Sequence, residues 1–153
     1  MKQLNPKWCE WILPIINSNP FFSFFGIKLN EFRYGESFLE LDIKENHLQL
    51  HGVIHGGVSA ALIDAAGTLA VVTQIEGLNS ATTIDMKVNY LSSAKEGKIL
   101  AYGHCIKLGN TIGVSEATIR DEEEKIIAHG LVTVMIRPPI DFPGVDQIPP
   151  KFL

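Results

Sequence analysis

The chain has 153 residues, two cysteines, 20% charged residues and a formal net charge of −4. That length suits one domain, and a hydrophobic content of 46% builds a core without disulfide staples. The balance excludes the clustered basic surface of a nucleic-acid binder. The separated Cys9 and Cys105 fit a reducing compartment rather than a secreted framework.

Lys2 and Lys7 lead into an apolar run, but Glu10 and Pro14 interrupt it, so the N-terminus does not read as a signal peptide. Residues 5–17 predict a short helix with Trp8, Trp11, Ile12 and Ile15 on one side. Phe21-Phe22-Ser23-Phe24-Phe25 is a dense aromatic cluster, read either as core packing or as the wall of an acyl pocket. Ile27 to Ile43 predicts two strands around Tyr34-Gly35-Glu36, followed by a loop over Glu45 to Gly57.

A long helix is expected from about Gly57 to Gln74, ended by Gly77 and Asn79. Its low-charge stretch has the length of a membrane span, but Asp64 near the centre would cost about 2.5–3.5 kcal/mol. It therefore predicts a buried helix of a soluble, cytoplasmic protein. Four strands follow. Thr82, Ile84, Met86, Val88 and Tyr90 are expected on one face of the first, opposite Thr83, Asp85, Lys87 and Asn89. Lys98 to Leu108, Thr111 to Arg120 and Ile126 to Ile136 complete the set, with Pro138-Pro139 as the stop. Hairpin-linked strands around one long helix predict an α+β fold. Residues 1–137 read as a single domain and 138–153 as a Pro-rich tail.

The long helix is apolar nearly all round, so a curved sheet must wrap it, with a partner subunit covering what the sheet leaves open. Asp64 is its single charge, and a buried carboxylate is hydrogen-bonded, neutralised or functional. Gly56 and Gly57 open the helix, where unpaired N–H groups and the positive dipole end suit a carbonyl oxygen gaining negative charge. Along the axis Asp64 lies roughly 10–12 Å from these glycines. Two antiparallel copies of the helix would bring Asp64 of one subunit to Gly56 of the other, which predicts a homodimer or homotetramer with a shared site. His47, His51 and His55 are spaced four apart, but the intervening glycines argue against a helix carrying three ligands, and no metal is expected. His104 and His129 fall on strands.

The stretch from Gln49 through His55-Gly56-Gly57 to Asp64, with Thr83 to Leu91 downstream, resembles the hotdog-fold thioesterases of the phenylacetate-degradation type over roughly residues 20–137. The resemblance implies hydrolysis of acyl-CoA thioesters, with a long central helix wrapped by a curved antiparallel sheet. It makes Asp64 the general base or nucleophile and the Gly56 N–H the group that polarises the thioester carbonyl. His55 would support the carbonyl or leaving thiolate, Gln49 would orient the nucleophile, and Thr83 would position water. Gly57, Thr68, Asn89, Tyr90, Ser92, Lys95 and Lys107 are the candidates for holding coenzyme A, which is part of the substrate, so no separate cofactor is expected. A hydratase or dehydratase acting on acyl thioesters, and a non-catalytic acyl-CoA-binding domain, are the alternatives.

Overall fold

The computed structural model describes residues 2–139, 141, 142 and 144–153; Ile140 and Pro143 of the predicted tail lie outside the described residues. Two short helices open the chain, each entered through an asparagine cap and a proline at its first position. Asn5 accepts the Lys7 N–H at the start of α1 (Pro6–Asn17), and Asn19 accepts the Phe22 N–H at the start of α2 (Pro20–Phe25). α1 docks on the sheet through Trp8, whose ring lies 5.7 Å from Phe32, and through Asn17. The Asn17 amide exchanges two hydrogen bonds with the Leu29 backbone.

The aromatic cluster forms α2 and is mostly not core. Phe22 alone is buried, while Phe21 is 49% and Phe24 75% exposed, because a single turn and a half offers the core only one of its sides. None of the five residues from Phe21 to Phe25 is among the residues lining the cavities at Gly56 and beside α1.

Six antiparallel strands form one sheet: β1 (Ile27–Arg33), β2 (Glu36–Asp42), β3 (Asn79–Tyr90), β4 (Lys98–Leu108), β5 (Ile112–Asp121) and β6 (Ile126–Pro139). Their order is β1-β2-β4-β5-β6-β3, so β3 is an edge strand. β6 runs through the two prolines expected to stop it. Proline lacks a donor but still accepts, and Ser80 Oγ donates to the Pro138 carbonyl at 3.1 Å.

α3 (Gly56–Val72) lies across this sheet. It begins one residue earlier than the sequence implied, because His55 is its N-cap, and Thr73 is its C-cap. Its buried positions fall in adjacent pairs four residues apart: Val58 and Ser59, Leu62 and Ile63, Ala66 and Gly67, Ala70 and Val71. That stripe faces the sheet. Ala61, Asp64, Ala65, Thr68 and Val72 are only half-buried, so the chain's own sheet covers one side of the helix rather than nearly all of it. The approach is close. A Cβ at Gly103 would strike the Ala66 carbonyl, and one at Gly67 would stand 2.6 Å from Val132 Cγ2. Ser37 Oγ donates to the same Ala66 carbonyl at 2.7 Å.

The expected two faces of β3 are wrong across its middle. The register with β6 shifts between Thr83 and Asp85, leaving Ile84 as a bulge. An extra residue reverses the alternation. Ala81 and Thr83 therefore share the half-buried side with Met86 and Val88, while Thr82 and Ile84 are exposed. The bulge is what turns Thr83 toward the helix.

Candidate active site

Asp64 sits on the half-buried side of α3, facing β3. Thr83 Oγ1 donates to Asp64 Oδ1 at 2.6 Å, and Thr68 Oγ1 lies 3.0 Å from Thr83 Oγ1. A hydroxyl has one hydrogen, and Thr83 gives its own to the carboxylate, so Thr68 donates to Thr83. The chain Thr68–Thr83–Asp64 fixes the carboxylate's orientation through one oxygen. Asp64 Oδ2 accepts no hydrogen bond from the described residues.

The N-terminus of α3 is built by the preceding loop, which is pinned at both ends. His47 is buried: its Nδ1 accepts the Lys44 N–H at 3.0 Å and its Nε2–H donates to the Phe25 carbonyl at 2.8 Å. Its carbonyl accepts the His55 N–H, and the Ala94 carbonyl accepts the Ile54 N–H, both at 2.8 Å. His47 is thus a strut, whereas His51 is exposed. Among the described residues no three His, Cys, Asp or Glu side chains gather as metal ligands.

His55 caps α3: its Nδ1 accepts the Gly57 N–H at 2.9 Å, which leaves the proton of a neutral ring on Nε2, facing away from the helix. Gly57, a candidate for binding coenzyme A, therefore has its N–H occupied. The Gly56 N–H makes no hydrogen bond with the described residues. A cavity of about 390 Å³ opens there, lined by Gln49, Gly56, Ser59, Tyr90, Leu91 and Ser92 among others. The Tyr90 ring lies so close that a Cβ on Gly56 would stand 3.2 Å from it.

The predicted residues thus fall into two groups. Gln49, Gly56, Tyr90 and Ser92 meet at the helix N-terminus, with His55 beside them. Asp64, Thr68 and Thr83 meet two turns further on, eight residues or roughly 12 Å along the axis. Thr68, a candidate for holding coenzyme A, is found in the carboxylate's hydrogen-bond chain. Asn89 is exposed on β3 opposite His129 and lines neither group. Lys95 lies in the loop before β4 and Lys107 at that strand's far end, more than roughly 30 Å of strand apart, so the two do not form one phosphate site within a chain. Ser59 was missed. It is 2% exposed and lines the Gly56 cavity. Its position three residues after Gly56, on the same helix face, was the available signal.

A long helix laid across a six-stranded antiparallel sheet, with a short helix before it, is the hotdog thioesterase fold. The chain belongs to the thioesterase superfamily, whose family model matches residues 51–128. It is 34% identical over 121 residues to a putative esterase of Haemophilus influenzae, covering 78% of this chain and 86% of that one. It is 28% identical to a 1,4-dihydroxy-2-naphthoyl-CoA hydrolase of Listeria monocytogenes, covering 73% and 91% of the two chains. The crystal structure of a thioesterase from Haemophilus influenzae superposes with a TM-score of 0.77 at 29% identity, covering 84% of this chain and 90% of that one.

Proposed function

We propose that this protein is a cytoplasmic enzyme that hydrolyses acyl-CoA thioesters to the free acid and coenzyme A, at a site shared by two copies of the chain. The observation that carries the reading is the pairing of an oriented carboxylate, Asp64, with an unpaired N–H, Gly56, on one helix but two turns apart. β3 supplies the means of joining two copies. It is an edge strand with exposed Ile84 and Tyr90, and a second copy paired antiparallel along it would extend the sheet and set the two α3 helices antiparallel. Asp64 of one copy then faces Gly56 of the other. Whether two dimers join further into a tetramer does not alter this site.

The chemistry asks little of the protein because a thioester is already activated. The Gly56 N–H, at the positive end of α3, donates to the carbonyl oxygen as it becomes an oxyanion. Asp64 Oδ2 takes a proton from water as the water oxygen bonds to the carbonyl carbon, or itself attacks that carbon to give an anhydride that water then opens. Collapse of the oxyanion expels the coenzyme A thiolate, which takes up a proton. In this reading Gln49, which lines the Gly56 cavity, orients the nucleophile, and His55, the cap of α3 beside it, supports the carbonyl or leaving thiolate. The spacing from His55 to Asp64 supports the phenylacetate-degradation type within the superfamily, and unpaired Cys9 and Cys105 suit the reducing cytoplasm. No helix among the described residues is long and apolar enough to cross a membrane.

Thiol release and product analysis on a panel of aryl and straight-chain acyl-CoAs test the reading. Free coenzyme A and free acid are the expected products. A hydrated thioester, or a bound thioester returned unchanged, would replace the hydrolase with a hydratase or a binding domain. Thr83 provides a finer test. Thr83→Val keeps the shape but removes the hydroxyl that donates to Asp64, and thiol release is expected to fall about tenfold or more, as for loss of a hydrogen bond to a charged group. Thr83→Ser, which keeps the donor, should stay near the wild-type rate; equal losses in both variants would make Thr83 a packing residue only.

A further inference from the structure

A second cavity, of about 310 Å³, lies on the side of α3 that the sheet leaves uncovered. Its walls are apolar: Ile12 and Ile16 from α1, Leu69 and Val72 from α3, and Ile148 from the tail. Thr68 is its link to the carboxylate. Asp64, Thr68 and Val72 follow one another at four-residue spacing on one helix face, about 12 Å from first to last. Ala81, which also lines the cavity, shares the inner side of β3 with Thr83. The cavity therefore continues directly from the Thr68–Thr83–Asp64 chain toward the C-terminal end of α3.

The tail closes that far end, and it is pinned there. Lys151 Nζ donates to the carbonyls of Ile75 at 2.8 Å and Val72 at 3.1 Å, where the negative end of the helix dipole favours a cation. It also lies 5.2 Å from the centre of the Trp8 ring. Burial pushes the pKa of this amine down to about 8, so its charged form is held here at a net cost. Asn5 adds two bonds, its N–H to the Lys151 carbonyl and its side-chain amide to the Pro150 carbonyl, both at 2.8 Å. So many long-range contacts make the tail a fixed wall.

We propose that this cavity receives the acyl group of the thioester and that the tail, through Ile148 held in place by Lys151, sets the longest chain it accepts. The proposal rests on the thioesterase reading. The apolar lining selects a hydrocarbon, and the volume, near the lower end for small-molecule sites, fits a medium straight chain and refuses a long one. The tail lies outside residues 51–128, the segment shared with the family model, so this wall is set independently of it.

The test is a chain-length profile of kcat/KM on acetyl-, hexanoyl-, decanoyl- and palmitoyl-CoA for wild type, Ile148→Trp and Ile148→Ala. Wild type should favour hexanoyl- or decanoyl-CoA over palmitoyl-CoA. Ile148→Trp fills the far end, so kcat/KM for decanoyl-CoA should fall at least about tenfold while acetyl-CoA changes little, in line with the cost of a misfitted methylene in an apolar pocket. Ile148→Ala should raise the rate with palmitoyl-CoA. Folded, active variants with an unchanged profile would overturn the proposal. Should wild type release no thiol from any thioester, the hydrolase reading fails separately, and calorimetry with decanoate then decides the pocket. Binding by wild type and its loss in Ile148→Trp would uphold the pocket; equal binding by both, or none by wild type, would overturn it.

Discussion

Asp64→Asn is expected to lower thiol release by about 10²–10⁴-fold, the range over which a positioned base contributes to catalysis. The substitution is nearly isosteric. Thr83 Oγ1 can still donate to the amide oxygen as it now does to Oδ1, and Thr68 can still donate to Thr83. What disappears is the charge on Oδ2, the oxygen with no partner among the described residues and the one available to accept a proton or attack a carbonyl. The loss should therefore fall on kcat, with the melting temperature and the binding of an unreactive thioether analogue close to wild type. A variant that turns over at near the wild-type rate would remove Asp64 from the chemistry.

The second large effect is expected at a backbone group. Gly56 occupies the first position of α3, where a proline fits the helix and costs no intrahelical hydrogen bond. Gly56→Pro thus deletes the unpaired N–H while keeping the helix. Its added carbon atoms press on Tyr90, which a Cβ would approach to 3.2 Å, and Gly56→Ala shares much of that contact while keeping the N–H. The comparison isolates the donor. Gly56→Pro should fall about 10²–10³-fold below Gly56→Ala in kcat, the usual cost of losing one oxyanion donor. Circular dichroism and the melting temperature of the two variants check that the helix persists. Equal rates would mean that the N–H takes no part.

Much of this arrangement was legible locally. The helix capped near Gly56, the single acid in an apolar stretch and the turn at Tyr34-Gly35-Glu36 each depend on near neighbours, and β4 runs over the expected residues, Lys98 to Leu108. What escaped depends on contacts distant in sequence. The bulge at Ile84 is set by the pairing of β3 with β6, some fifty residues away, and strict alternation therefore put Thr83 on the wrong face. The hydrogen bond from the Gly57 N–H to His55 Nδ1 also went unread, and it leaves only Nε2 of that ring for a substrate. The Phe21–Phe25 cluster reads as core by composition, yet a helix of six residues leaves Phe24 75% exposed. The tail carries no periodicity at all. Its place is fixed by Lys151 reaching carbonyls more than seventy residues earlier, which no local pattern encodes.

Of the candidate site, the spacing of Gly56 and Asp64 on one helix was the most informative feature, because roughly 12 Å between them is what the proposed pairing of two copies rests on. The exposed edge of β3 and the half-buried side of α3 that carries Asp64 are the two surfaces such a pairing needs, and the fold places them side by side.

Mixing Asp64→Asn with Gly56→Pro subunits tests the shared site most directly. Each variant alone has one half of every site damaged. A mixed dimer holds one site with both halves damaged and one with Asp64 and Gly56 intact. Random assortment makes about half of the dimers mixed, so co-refolded or co-expressed subunits should recover about a quarter of wild-type thiol release. Mixed dimers isolated by two different tags, yet no more active than either parent, would contradict a site built from two chains.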